Sequence, residues 1–268
     1  MKSYSMLQTS SFTEKQFSDY SRFKHGSKTV ARIFGKTLAQ KIGQDLFKEQ
    51  NKSFIIYPAP FNNVPTASSA LRDYLLSFLS FEILKSNSKI KQGKVHRLYS
   101  YDNDYGRMSK EDRQKAISSD IFSIDKSFIL PTDTLVFIDD IKITGSHEER
   151  IKELLARENI TNEVIFIYFY EYTGDDPVTE DLLNHFCVKN LKDINDIIRN
   201  DKFVFNTRVI KFILKADIEE FVSFITYQSD IFQETLYHYS ILNEYYNNEK
   251  YSVNFSILHS IVTKNNYL

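Results

Sequence analysis

"LVFIDDIKITGSHEER", Leu135 to Arg150, sets an apolar run directly before two aspartates and follows them with a Thr-Gly-Ser turn. Thr134 to Ile138 is apolar without alternation, the pattern of a strand covered on both faces. Asp139 and Asp140 are expected to close that strand at its C-terminal edge, and a helix is expected from about His147 to Asn159. Ligands bind at that edge in open parallel sheets. Two adjacent carboxylates repel each other there, and a purely structural turn gains little from both. A diol or a cation would offset the cost, since carboxylates accept hydrogen bonds from hydroxyls and attract Mg²⁺. Ile143, Thr144, Gly145, Ser146 and His147 come next. Gly145 permits a positive φ, successive N–H groups can form an anion-binding concavity, and a helix N-terminus adds partial positive charge. Acids for a sugar and amides for a phosphate together suit a phosphosugar. The plainer alternative is a strand-to-helix turn in which Ser146 and Glu149 form a capping box, worth about 1 kcal/mol.

Outward from this stretch, the pattern alternates between strands and helices. Residues 1–13 are polar and expected to be loose. Glu14 to Gln50 reads as helix, with Val30, Phe34, Leu38, Ile42 and Leu46 at four-residue spacing. Ser53 to Tyr57 is a short strand that ends at the prolines of "PAPFNNVP". Thr66 precedes a helix carrying Leu71, Leu75, Leu76, Leu79 and Ile83 on one side. Lys94 to Tyr99 predicts a second strand, 100–130 a long polar excursion, and Val164 to Tyr170 another buried strand. "HFCVKN" around Cys187 suggests a further short strand, and 192–268 is helical in spacing and rich in tyrosine. The expected class is α/β, a mostly parallel sheet flanked by helices with helical N- and C-terminal extensions. The expected division is a helical segment at 1–50, an α/β domain at 51–190 and a helical part at 191–268.

Composition narrows the function. With 42% apolar and 26% charged residues in 268, a packed core is expected. A net charge of −1 gives no general attraction to nucleic acid or anionic membrane. A single cysteine excludes an internal disulfide or a thiolate-rich metal site, and with no secretory leader favours a reducing cytoplasm. No apolar run is long enough to span a membrane. There is no G-x-x-x-x-G-K-[ST] to accompany a Walker B strand and no G-x-G-x-x-G. A D-x-D phosphatase would need an acid at Ile141.

At "DDIKITGS", Asp139 to Ser146, the chain resembles the type I phosphoribosyltransferases, whose signature is four apolar residues, two acids, a short spacer and then Thr-Gly with a hydroxyl-rich turn. The resemblance implies that Asp139 and Asp140 contact the ribose hydroxyls of 5-phosphoribosyl-1-pyrophosphate (PRPP), and that Ile143, Thr144, Gly145, Ser146 and His147 cradle its 5-phosphate. His147 stands where the family usually has a second threonine. Ile143 stands where some purine-salvage members carry an acidic base, which disfavours classical purine salvage. The loop after the first strand, with Ala59, Pro60 and Phe61, takes the family's pyrophosphate-binding place. "DNDYGRMSKEDR", with Arg107, Lys110 and Arg113, takes the place of its mobile flap. "NNVPTAS", "DYGRMS" and "DDIKITGSHE" together are similar to a divergent bacterial branch associated with stress or phage-defence gene clusters.

The implied activity is transfer of phosphoribose to an unidentified acceptor with release of pyrophosphate. Mg²⁺ would bridge pyrophosphate and ribose hydroxyls, with Asp139 and Asp140 as its indirect partners. The alternative is a non-catalytic sensor of the phosphoribosyl ligand, or an effector in a defence system, coupled to a homo-oligomer or protein partner through the C-terminal helices. Arg22, Lys24, His25 and Lys28 read as a phosphate-binding hood or as a solvated basic helix start. His96 reads as a general base or as a structural residue. His185, His238 and His259 lack metal-ligand spacing, and Cys187 is by default a core thiol. The Tyr-rich tail reads as core or oligomer packing, or as a stacking surface for bases.

Overall fold

The computed structural model of the protein describes residues 1–46, 50–97, 121–176 and 178–266. Its centre is a parallel sheet built from β1 (Lys2–Thr9), β2 (Ser53–Pro58), β3 (Lys89–Gln92), β6 (Asp133–Lys142) and β7 (Val164–Tyr172). Their order is β1-β7-β6-β2-β3. β4 (Val95–Arg97) and β5 (Phe122–Ile124) form a separate antiparallel pair.

β6 and β7 lie inside the sheet, with Val136 opposite Ile165, Phe137 opposite Phe166 and Ile138 opposite Ile167. Alternate side chains point to opposite faces. Leu135 and Phe137 join Ile55, Tyr57 and Phe166 under Ile151, Leu154 and Leu155 of α4 (Ser146–Arg157). Val136, Ile138, Ile165 and Ile167 pack the other way, with Phe34, Leu38, Leu71, Leu75 and Leu79. Those residues belong to α2 (Lys28–Leu46) and α3 (Ala67–Lys85).

Several local expectations are corrected. Residues 2–9 are not loose but form edge strand β1, paired with β7 from Lys2–Ile165 to Thr9–Tyr172. The helical stretch from Glu14 is two helices, α1 (Glu14–Lys24) and α2, because Gly26 at φ 93° turns the chain between them. The strand after α3 that enters the main sheet is β3, whereas Val95–Arg97 pairs with Phe122–Ile124. β6 does not stop at the acid pair: Ile141 and Lys142 continue the ladder opposite Tyr170 and Glu171. The helix N-cap is Gly145, which has no side chain, so the expected Ser146–Glu149 capping box does not form. Around Cys187 there is no strand; α5 (Thr179–His185) leads into an irregular turn.

The C-terminal part contains α6 (Leu191–Asn200), α7 (Thr207–Leu214), α8 (Ile218–Thr226), α9 (Asp230–Leu242) and α10 (Glu249–Asn266) around their own core of Leu191, Ile194, Ile213, Phe221, Leu236 and Leu258. It docks on the sheet domain through specific polar contacts. The Thr207 N–H donates to Pro65 O at 2.9 Å, and Val204 N–H to Gly26 O at 2.9 Å. Arg22 reaches Asp196 at 3.0 Å and Asp201 at 2.8 Å. Gly26 is the tightest point of this joint. A Cβ there would stand 2.4 Å from Val204 O and 2.8 Å from the Phe203 ring, at a φ that L-residues avoid. Gly26→Ala is therefore expected to lower unfolding stability by about 1–3 kcal/mol, read as a lower urea midpoint. An unchanged midpoint would refute the assignment of this contact as rigid.

Candidate functional site

β6 carries the acid pair to the C-terminal edge of the sheet. Because neighbouring side chains on a strand point apart, Asp139 and Asp140 find different partners. Asp139 turns to α4, its Oδ2 3.3 Å from His147 Nδ1. Asp140 turns to α1, where Lys24 Nζ lies 2.5 Å from its Oδ2. Each carboxylate also accepts a main-chain N–H, Asp139 from Asp140 at 2.9 Å and Asp140 from Ile141 at 3.1 Å. Their side chains are 16% and 5% exposed. Burial pushes the Asp140 carboxyl up from its ordinary range; Lys24 opposes that push and the Asp139 charge adds to it. Burial acts on Asp139 too, but the hydrogen bond and charge of His147 outweigh it and hold that carboxyl low. Asp139 is thus the carboxylate kept ionised, available to accept from a hydroxyl.

The turn behind the pair is preorganised. Gly145 sits at φ 74°, and the Thr144 and Ser146 hydroxyl oxygens are 2.7 Å apart. A Cβ at Gly145 would approach only Lys142 Cε, at 3.6 Å, so the backbone angle rather than crowding calls for glycine. The first turn of α4 also holds Glu148, an acid that would repel a phosphate. It is neutralised by Lys142 and Lys152, each at 2.8 Å, and accepts from the Tyr168 hydroxyl at 3.1 Å.

These groups line one cavity of about 700 Å³. Its sheet-side wall holds Tyr20, Lys24, Thr66–Ser68, Arg97 and Asp139–Glu148. The facing wall is helical and includes Asn184 and His185 of α5, Lys189, Arg208, Lys211 and Lys215 on and beside α7, and Lys250 of α10. A compartment of this size, walled by apolar carbons and a few convergent charges, suits a small polar ligand.

The first loop behaves differently from its sequence reading. Ala59 and Pro60 line the cavity and Phe61 does not. The Ala59 N–H donates to Ser68 Oγ at 3.0 Å, Pro60 has no N–H, and the Phe61 N–H donates to Val95 O at 3.2 Å. The Ala59 and Phe61 amides are thus engaged within the chain, and the first turn of α3 at Thr66–Ser68 faces the cavity beside them. Arg107, Lys110 and Arg113 lie outside the described residues.

A family model described as PRTase ComF-like matches residues 4–258. The chain belongs to that phosphoribosyltransferase family. No curated protein matches the chain. Among solved structures it is similar to an adenine phosphoribosyltransferase, with 18% identity over 56% of this chain and 75% of that one, at a TM-score of 0.32. A hypoxanthine phosphoribosyltransferase from Staphylococcus aureus shares 13% identity over 54% and 76%, at 0.34. An adenine phosphoribosyltransferase from Saccharomyces cerevisiae shares 16% over 57% and 73%, at 0.31.

Within this ComF-like chain, the other nominated residues separate clearly. Lys24 enters the site as the partner of Asp140, whereas Arg22 ties α1 to the C-terminal helices and His25 is fully buried. His96 pairs with Ser123 on the small sheet, away from the cavity wall. His185 lines the cavity; His259 instead lies 2.8 Å from the Tyr237 hydroxyl in the C-terminal helices. Cys187 Sγ meets Ser18 Oγ at 3.1 Å. Among the described residues no helix is long and apolar enough to cross a membrane. Sequence reasoning missed Tyr20, Asn184, Arg208 and Lys211. The one available signal was the Arg208, Lys211, Lys215 spacing, which places three cations on one side of a helix.

Proposed function

We propose that the protein binds PRPP at the C-terminal edge of the sheet and transfers its phosphoribosyl group to an acceptor, releasing pyrophosphate. What supports this is the meeting of the acid pair and the Ile143–His147 turn in one cavity. The amides of Thr144, Gly145 and Ser146, with the Thr144 and Ser146 hydroxyls, would take the 5-phosphate. Asp139 and Asp140 would accept from the ribose 2- and 3-hydroxyls. As the C1–O bond breaks, its electron pair leaves with pyrophosphate and positive charge grows on the sugar. The ionised Asp139 is placed to stabilise that charge while an acceptor nucleophile bonds to C1. With the Ala59 and Phe61 amides committed, the α3 first turn at Thr66–Ser68 is the better seat for pyrophosphate.

Magnesium fits this site as an ion that arrives with its ligand. Asp140 is held by Lys24 and Asp139 by His147, and among the described residues no group of three or more His, Cys, Asp or Glu could hold a metal. When bound, the ion would neutralise charge on the leaving pyrophosphate. Calorimetry of the wild-type protein with PRPP and Mg²⁺ should show one saturable event, competed by ribose 5-phosphate. Absence of any binding by folded protein would overturn this reading.

A further inference from the structure

α7 presents Arg208, Lys211 and Lys215 along one side, and all three line the cavity that holds the acid pair. Arg208 is only partly exposed, and among the described residues it makes no ion pair or hydrogen bond. Its charge bears instead on the buried Tyr20 phenol and His25 imidazole, opposing the rise of the one pKa and adding to the fall of the other. A guanidinium that has given up part of its water without gaining an anion is an incomplete arrangement. Asn184 lines the same cavity and is 4% exposed. Lys189 and Lys250 also line the cavity, as do the acids Glu180, Asp217 and Glu220, the last of which accepts the Leu191 N–H at 2.6 Å.

None of these groups is needed by the phosphoribosyl end, which the Ile143–His147 turn and the acid pair accommodate. We propose that this wall is an acceptor subsite for a small molecule carrying an oxyanion group, phosphate or carboxylate. The oxyanion docks on Arg208, with Lys211 beside it. Naming the occupant as the acceptor rests on the phosphoribosyl-transfer reading; the oxyanion subsite itself does not. The arrangement gives the cavity two recognition places, one on α4 for the sugar phosphate and one on α7 for its reaction partner. It also disfavours neutral bases, which would leave Arg208 unsatisfied.

Inorganic phosphate is the probe. Titrated calorimetrically into protein saturated with PRPP and Mg²⁺, it should occupy one further site. Arg208→Gln should weaken that second event at least about tenfold, as expected on losing a charge-assisted bond, while PRPP affinity stays within about twofold. Lys211→Gln should weaken it less, and serves as the second variant if Arg208→Gln fails to fold. No second event in the wild type overturns the subsite, as does undiminished phosphate binding in Arg208→Gln, which would mark an adventitious ion only. If the wild type fails to bind PRPP, the transfer reading falls alone. Phosphate titrated by itself into wild type and Arg208→Gln then still decides the subsite.

Discussion

Asp139→Asn is expected to weaken PRPP binding in the presence of Mg²⁺ by about 10- to 100-fold, with unfolding stability changed by less than about 1 kcal/mol. The ligand term follows from hydrogen bonds to a charged group, worth about 1.5–3 kcal/mol each. The small stability term follows from geometry. An asparagine oxygen can still accept the Asp140 N–H that now sits 2.9 Å from Asp139 Oδ1, and the pair loses a like-charge repulsion. Asp140→Asn should behave in the opposite way. It strands the Lys24 ammonium, whose side chain is 19% exposed, opposite a neutral group. A cost of about 2–3 kcal/mol in stability is expected, below the full penalty for a buried charge because Lys24 retains some water. Adding Lys24→Met to Asp140→Asn should recover much of that loss without restoring ligand affinity. Urea midpoints and calorimetry on the four proteins separate the two roles. Equal stability losses at both positions, with affinity untouched, would show the pair to be structural.

That division of labour was not legible in the sequence, although the pair itself was. Leu135–Ile138 declares an interior strand because both its faces are covered, and the turn at Thr144–Ser146 is local chemistry that spacing can reveal. Lys24 and Asp140 are 116 positions apart, and only the fold brings them together. Two of the strands that escaped notice have a common physical reason. β1 (KSYSMLQT) and β3 (KIKQ) are the two edges of the sheet, and neither presents the continuous apolar run of an interior strand. Ser5 even uses its hydroxyl on Glu171, at 2.6 Å. β6 extends beyond its apolar run for a related reason, since main-chain pairing with β7 continues through Ile141 and Lys142 without needing buried side chains. The helical wall of the site was missed because cations on a short helix read as solvated until something lies opposite them.

The protein should lose stability on acidification from about pH 6.5 downward, and His25 should account for much of the slope. The ring is fully buried at the end of α1, its Nδ1 2.9 Å from Ser21 O. Phe212 packs edge-on at 5.3 Å and the His185 ring lies at 6.2 Å. Burial first, then the positive charge of Arg208, drive its pKa down to about 3; the Ser21 carbonyl opposes this, while His185 and Lys24 add to the depression. The unfolded chain takes up the proton near pH 6.5. Between pH 6.5 and about 3 the unfolded state therefore binds more protons, so stability rises with pH and is complete above about 6.5. Each unit in that window is worth about 1.4 kcal/mol, giving a loss of roughly 2–3 kcal/mol by pH 4.5. His25→Leu removes the titrating group and retains an apolar filling for the pocket. Its stability at pH 7 is compared with wild type by urea unfolding, and the same comparison is repeated at pH 5.5 and 4.5. The wild type should fall faster by the amount above, so that the two curves converge or cross as the pH drops. Parallel curves would mean that His25 titrates alike in both states and that acid sensitivity, if present, comes from the carboxylates.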